Sequence, residues 1–172
     1  MSEEKTVIDE ITSQSYDASD KPFDFIEEGQ ETALLCEPDD SLRALAGEQL
    51  KSIGYLVSEA QSAQEALKKM RYHIYDLVLV NEKFDCTEGE RNQVLAYLEE
   101  LNMQVRRKMF VALAGTEFRT MDNMTAFNRS VNITINRENF KDLGSIIKRG
   151  VAENKAFYHV FREILAEAAG RS

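Results

Sequence analysis

The 172-residue sequence has no tryptophan, two prolines, two cysteines and two histidines. Cys36 and Cys86 stand 50 positions apart without a CxxC spacing, and His73 and His159 lie far from both, so neither a zinc site nor a disulfide framework is expected. No run of about 18 apolar residues exists, which argues against a membrane partner. Basic residues are also in deficit, 21 Lys and Arg against 30 Asp and Glu, for a net charge of −9. A nucleic-acid partner would need a basic footprint to displace counterions, so none is expected. The opening MSEEKTVIDEITSQ is acidic and polar, unlike a secretory signal, and a soluble, cytoplasmic protein is expected.

The acidity is unevenly placed. Residues 1 to 31 hold ten acids and two bases, whereas the other 141 residues hold 20 acids and 19 bases. This shift predicts an acidic leader over 1 to 31, expected to be partly disordered, and a boundary near Gln30. From Thr32 short apolar runs alternate with helical periodicity, the pattern of βα units around a parallel sheet. The expected strands are Thr32 to Cys36, Tyr55 to Val57, Leu77 to Val80, Phe110 to Ala114 and Ile133 to Ile135.

Between them run helices capped by Asp40 or Ser41 and by Ser62, a helix through Val94 to Leu101, and one carrying Met121, Met124 and Phe127. The last 28 or so helix-compatible residues run from Phe140 to Ala168, interrupted near Asn154. The expected fold is α/β: a flavodoxin-like, doubly wound, five-stranded parallel sheet of order 2-1-3-4-5, with five helices and an extended C-terminal helix. The body spans 32 to 152 and a helical extension spans 153 to 172.

A doubly wound sheet places its site beyond the carboxyl ends of its strands. The windows there, Cys36 to Asp40, Glu59 to Ser62, Asn81 to Gly89, Ala114 to Glu117 and Asn136 to Asn139, contain no glycine-rich phosphate loop, GxSxG elbow or histidine. They carry a family resemblance instead. The stretch ALLCEPDDSLRALAGEQLKSIGYLVSEAQSAQEALKKMRYHIYDLVLVNEKFDCTEG resembles the receiver domain of two-component response regulators, a likeness running from Thr32 to about Gly150. The spacing of Gly54, Tyr55, Val57, Ala60, Ser62, Glu65, Ala66 and Leu67, and the Glu88-Gly89 pair, carry it.

The resemblance implies five groups: an acidic pair and an aspartate that hold Mg²⁺, the aspartate also being phosphorylated, then a hydroxyl and a lysine for the phosphoryl oxygens. These positions fall on Glu37, Pro38, Asn81, Ala114 and Asn136, so four of the five groups are missing. Arg43, six residues after Glu37, fixes the register. A carboxamide is neutral and a poor nucleophile, so Asn81 can neither form an acyl phosphate nor lend charge to a metal cage. Ile133 stands where the family carries its aromatic switch residue. The reading is a pseudo-receiver with no catalytic residue, metal or cofactor.

Other chemistry-bearing residues read more simply. Asp39 and Asp40 suit a helix start, Asp85 a solvated loop, Cys86 an ordinary thiol, Cys36 a core position, His73 the surface, and Arg106, Arg107 and Lys108 a solvated loop. Beyond the length a receiver needs, Phe157, Tyr158, Phe161, Ile164 and Leu165 form an apolar stripe. Such a stripe folds back on its own domain, meets the leader, or pairs with another chain as a homodimer. Phe84, Ile133, Phe157, Tyr158, Phe161 and Leu165 are the candidate contact residues for a protein partner of unknown identity. The expected function is signalling by protein contact, independent of phosphorylation. The alternative is a small ligand bound among Asn81, Ala114, Gly115, Thr116 and Asn136.

Overall fold

The computed structural model describes residues 26 to 170. The order expected of the leader concerns residues that lie mostly outside that range. Five strands are assigned: β1 (Thr32–Cys36), β2 (Leu56–Glu59), β3 (Leu77–Asn81), β4 (Phe110–Gly115) and β5 (Ile133–Asn136). All pair in parallel in the order β2-β1-β3-β4-β5, as the sequence pattern indicates. The register sets Cys36 beside Val80, Asn81 beside Ala114 and Gly115 beside Asn136, so the carboxyl ends of the three central strands and β5 finish level.

Alternation along the strands feeds two separate apolar layers. Leu34, Cys36, Val78, Val80, Val111 and Leu113 point to one face, under α2 (Ala63–Tyr72) and α3 (Gln93–Glu100). Ala33, Leu35, Leu77, Leu79, Ala112 and Ala114 point to the other, under α1 (Asp40–Ser52) and the long helix near the C-terminus. Central strands buried on both faces are why their sequences read as continuous apolar runs.

Local chemistry starts and stops the helices where the sequence suggests. The Asp39 carboxylate accepts the Leu42 N–H at 3.0 Å, and the Ser62 hydroxyl accepts that of Glu65 at 3.1 Å. After α1 the chain turns through Gly54 at φ +103°, a conformation that a side chain would strain.

Four expectations need correction. Among the described residues seven helices form, not five, because the segment after α3 makes a short helix α4 (Met103–Arg106), and the C-terminal stretch divides. That stretch begins as a 3-10 turn, Arg137–Asp142, continues as α6 (Leu143–Phe157) and restarts as α7 (His159–Gly170). The break is at Tyr158, not Asn154: its N–H reaches both Ala156 O and Asn154 O. In α5 (Asn123–Asn128), Met124 and Phe127 face outward and only Ala126 is buried, while Met121 precedes the helix at φ +59°. His73 is half-buried rather than a surface residue, with Nε2 2.8 Å from Thr32 Oγ1 and its ring edge-on to Tyr75. Among the described residues, no helix is long and apolar enough to cross a membrane.

Candidate functional site

The level strand ends bring Glu37, Asn81, Ala114 and Asn136 to one edge of the sheet, where the sequence placed them. Glu37 is 1% exposed and Asn81 4%. Glu37 Oε1 accepts the Asp39 N–H at 3.0 Å and Oε2 accepts Asn81 Nδ2 at 2.9 Å. Asn81 Oδ1 accepts the Lys83 N–H at 2.9 Å. That last bond fixes the amide orientation, since only the oxygen can accept a backbone N–H. The buried Glu37 carboxylate is thus met by two donors, the pairing a buried charge requires.

These residues do not fit a divalent cation of the kind the receiver family uses. Asn81 presents its NH₂ edge, not an oxygen, toward Glu37; Pro38 has no donor atom; and both Glu37 oxygens are engaged. Among the described residues, no cluster of three or more His, Cys, Asp or Glu side chains is arranged to hold a metal ion.

Across the crevice, Asn136 takes a structural role. Its Nδ2 donates to Phe118 O at 2.9 Å, its Oδ1 caps Glu138 N–H at 3.0 Å, and its own N–H donates to Thr120 Oγ1 at 2.9 Å. Thr120 Oγ1 in turn reaches Asn139 Oδ1 at 2.6 Å, tying the loop after β4 to the turn after β5. Of the neutral polar set expected to face a ligand, Asn81 and Asn136 therefore have their amide groups committed within the fold, while Thr116 is exposed. Arg137 Nη2 lies 3.2 Å from Asp39 Oδ2 and bridges the mouth. The Leu42 N–H, helped by Arg137, holds the Asp39 carboxyl below the usual carboxylate range.

Asn92 is a site residue the sequence reading missed. It is buried, its Oδ1 accepts the Val94 and Leu95 N–H groups at the start of α3, and its Nδ2 donates to Asn81 O at 3.0 Å and Glu82 O at 3.2 Å. An Asn just before the apolar run Val94-Leu95 was the available signal. Asp85 is not merely solvated: at φ +48° its Oδ2 accepts the Ala63 N–H at 2.7 Å, joining the loop after β3 to α2. Arg106 is no solvated loop residue either, since it clamps Met109 O, Ser130 O and Asn132 Oδ1 at 3.0 to 3.1 Å. Cys36 is fully buried, and burial pushes its thiol up; burial and then the nearby acids Glu90, Asp85 and Glu82 do the same for Cys86.

Two of the expected contact residues are core residues. Phe84 is 2% exposed because the loop after β3 folds it under α2 and α3, and Ile133 is 5% exposed, packed with Phe110 against Gly150 of α6. Tyr158 is half-buried, whereas Phe157, Phe161 and Leu165 are exposed.

The geometry belongs to a recognisable class: a five-stranded receiver fold, with its crevice at the β1, β3 and β4 ends. No protein-family model matches the chain, and no curated protein does. Solved structures do. A CheY-like receiver domain protein from Methanospirillum hungatei JF-1 is 20% identical over 74% of this chain and 98% of its own, with a TM-score of 0.57. HP1043, an orphan response regulator of H. pylori, is 18% identical over 72% and 98%, with a TM-score of 0.55. The Mn²⁺-bound form of the response regulator Rcp1 is 19% identical over 67% and 91%, with a TM-score of 0.51. What these likenesses share with the chain is the CheY-like fold.

Proposed function

We propose that the chain is a pseudo-receiver of two-component-type signalling, acting by protein contact and without aspartyl phosphorylation. The observation that carries this reading is Asn81. The residue at the end of β3 is a buried carboxamide hydrogen-bonded to Glu37 Oε2, where phosphotransfer would need an ionised carboxylate beside a cation. An amide cannot become an acyl phosphate without losing its nitrogen. Ala114 offers no hydroxyl, and Asn136 is spent on the loop it caps.

Signalling without the phosphoryl step leaves shape and surface. A candidate contact surface on the body is α5, where Met124 and Phe127 are 68% and 79% exposed. Adjacent apolar side chains held out in water are the usual mark of a protein partner. The reading is tested by incubating the full chain with Mg²⁺ and acetyl phosphate and measuring the intact mass. It should be unchanged, and a gain of about 80 Da, one phosphoryl group, would overturn the reading.

A further inference from the structure

A second apolar surface lies at the opposite, amino-terminal end of the strands, where Glu31 before β1 pairs with Lys155 of α6 at 2.8 Å. Every residue of α7 is exposed, and Phe157, Val160, Phe161, Ile164 and Leu165 are 39 to 79% exposed. At about 100° per residue, Val160, Phe161, Ile164, Leu165 and Ala168 fall within an arc of about 140°, one face of the helix. Phe161, Ile164 and Ala168 keep the three-then-four spacing of a two-helix seam. A 12-residue helix standing alone in water is marginal, so α7 needs a partner along this face.

Charge is ordered along the same helix. Near its start lie cations: Arg107 stacks over the Phe161 ring at 5.0 Å with Arg106 and Lys108 beside it in sequence, and among the described residues no carboxylate pairs with any of the three. Its far half carries acids: Glu163, met by His159 at 3.2 Å, and Glu167, which no cation meets among the described residues. Two copies laid parallel would set one cationic shelf against the other. Laid antiparallel about Ile164, they set Glu167 of each copy opposite Phe161 of the other, and so beside Arg107, with the helix dipoles running in opposite senses. Weighted by their exposed fractions, Phe157, Val160, Phe161, Ile164 and Leu165 leave on the order of 500 Å² of side chain in water per copy. A symmetric pair then covers on the order of 1,000 Å², the size that a specific interface needs.

We infer that the α7 face pairs antiparallel with the α7 face of a second copy of this chain, an isologous contact centred on Ile164 with Arg107 of each copy against Glu167 of the other. Self-complementarity selects this occupant. The patch carries both signs of charge at opposite ends of one apolar stripe, which is what a two-fold contact requires. A wholly acidic partner would oppose Glu163 and Glu167, and a wholly basic one would oppose the shelf. The inference stands apart from the phosphorylation reading, since none of these residues touches the crevice.

Light scattering on the full chain from about 5 to 500 µM tests it, together with a carbodiimide, which joins a carboxylate directly to an amine, applied to a mixture of unlabelled and ¹⁵N-labelled chains. The expected result is a mass rising to twice that of the chain, and mixed-label peptides joining Lys108 to Glu163 or Glu167. Ile164→Glu, on an exposed side chain, should raise the dissociation constant about a hundredfold or more, because the loss is felt once in each copy. Arg107→Glu and Glu167→Lys should each weaken the pair about fivefold, and the double variant should recover it, since the two charges are exchanged rather than lost. A single-chain mass over the whole range would overturn the inference and leave the face to a different protein. A dimer indifferent to Ile164→Glu, same-label peptides alone, or a double variant no tighter than either single one would overturn it as well.

Discussion

Replacing Asn81 by aspartate introduces the carboxylate that the receiver resemblance implies at this position, and here it should damage the fold. The substitution removes the donor that Glu37 Oε2 now receives at 2.9 Å and sets a second carboxylate against it, with both positions buried. A hydrogen bond to a charged group contributes about 1.5 to 3 kcal/mol, and leaving a buried charge uncompensated costs about 3 to 5 kcal/mol. The loss is capped by protonation, since placing a proton on a carboxyl of pKa about 4 at pH 7.5 costs about 5 kcal/mol. We therefore expect Asn81→Asp to lose about 3 to 5 kcal/mol at pH 7.5, a large share of the roughly 5 to 15 kcal/mol of a typical domain.

The pH dependence supplies the signature. Two carboxylates in contact share a proton, so the folded variant binds one proton more than its unfolded chain between about pH 4 and pH 7.5. The deficit should then shrink by about 1.4 kcal/mol for each unit the pH falls in that window. Asn81→Ala, which loses the bond without adding charge, should show no such slope. Urea unfolding followed by far-UV circular dichroism at pH 7.5, 6.5 and 5.5 measures all three chains. An aspartate variant as stable as the parent at pH 7.5 would refute the Glu37–Asn81 pairing on which the functional reading rests.

Other consequences can be checked the same way. Gly47→Ala should stabilise the chain by up to about 1 kcal/mol, because the new methyl meets Glu59 Oε1 at 3.5 Å and Leu35 Cδ2 at 3.8 Å, ordinary contacts within a helix. Gly115→Ala should instead destabilise by about 1 to 3 kcal/mol, since its Cβ falls 2.6 Å from Glu82 Oε1 and 2.8 Å from Phe118 Cζ. Arg106→Ala, which strands three oxygens, should cost about 2 kcal/mol in urea unfolding. His73, held below its ordinary pKa by burial and only partly restored by Asp76, binds its proton less readily folded than unfolded. Its contribution is complete above about pH 6.5 and is lost below that, as the pH falls through the lower pKa of the folded state, so His73→Gln should flatten the acid side of the stability profile.

The strands were legible because burial on both faces leaves a plain sequence mark: Leu77 to Val80 and Phe110 to Ala114 could hardly be anything else. Capping was legible at Ser62, where a hydroxyl precedes Glu65 by three residues. Periodicity alone says that a helix has an apolar stripe, not which way the stripe points. Met124 and Phe127 were legible as helix residues, but their outward direction was not, since α5 contributes only Ala126 to the core. Phe84 shows the converse: an aromatic in a polar loop reads as surface, yet the loop exists partly to tuck it under α2 and α3.

At the site, residue identities at the strand ends were readable, because parallel pairing fixes which positions finish together. Their partners were not. The bonds of Asn92 to Asn81 O and of Thr120 to Asn139 join segments 11 and 19 residues apart through irregular loops, for which no period exists to read.

The Glu37–Asn81 bond also bears on how such a protein could be governed. A metal-and-phosphate centre is a memory element: its state is written after synthesis, by whatever enzyme or ion reaches it. A carboxylate answered by an amide from the same chain is written once, at translation, and nothing soluble need be added or removed to maintain it. On the proposed reading, chelators and phosphodonors would have no handle on this crevice, and control of what the chain does would pass to how many copies the cell makes and how long each survives.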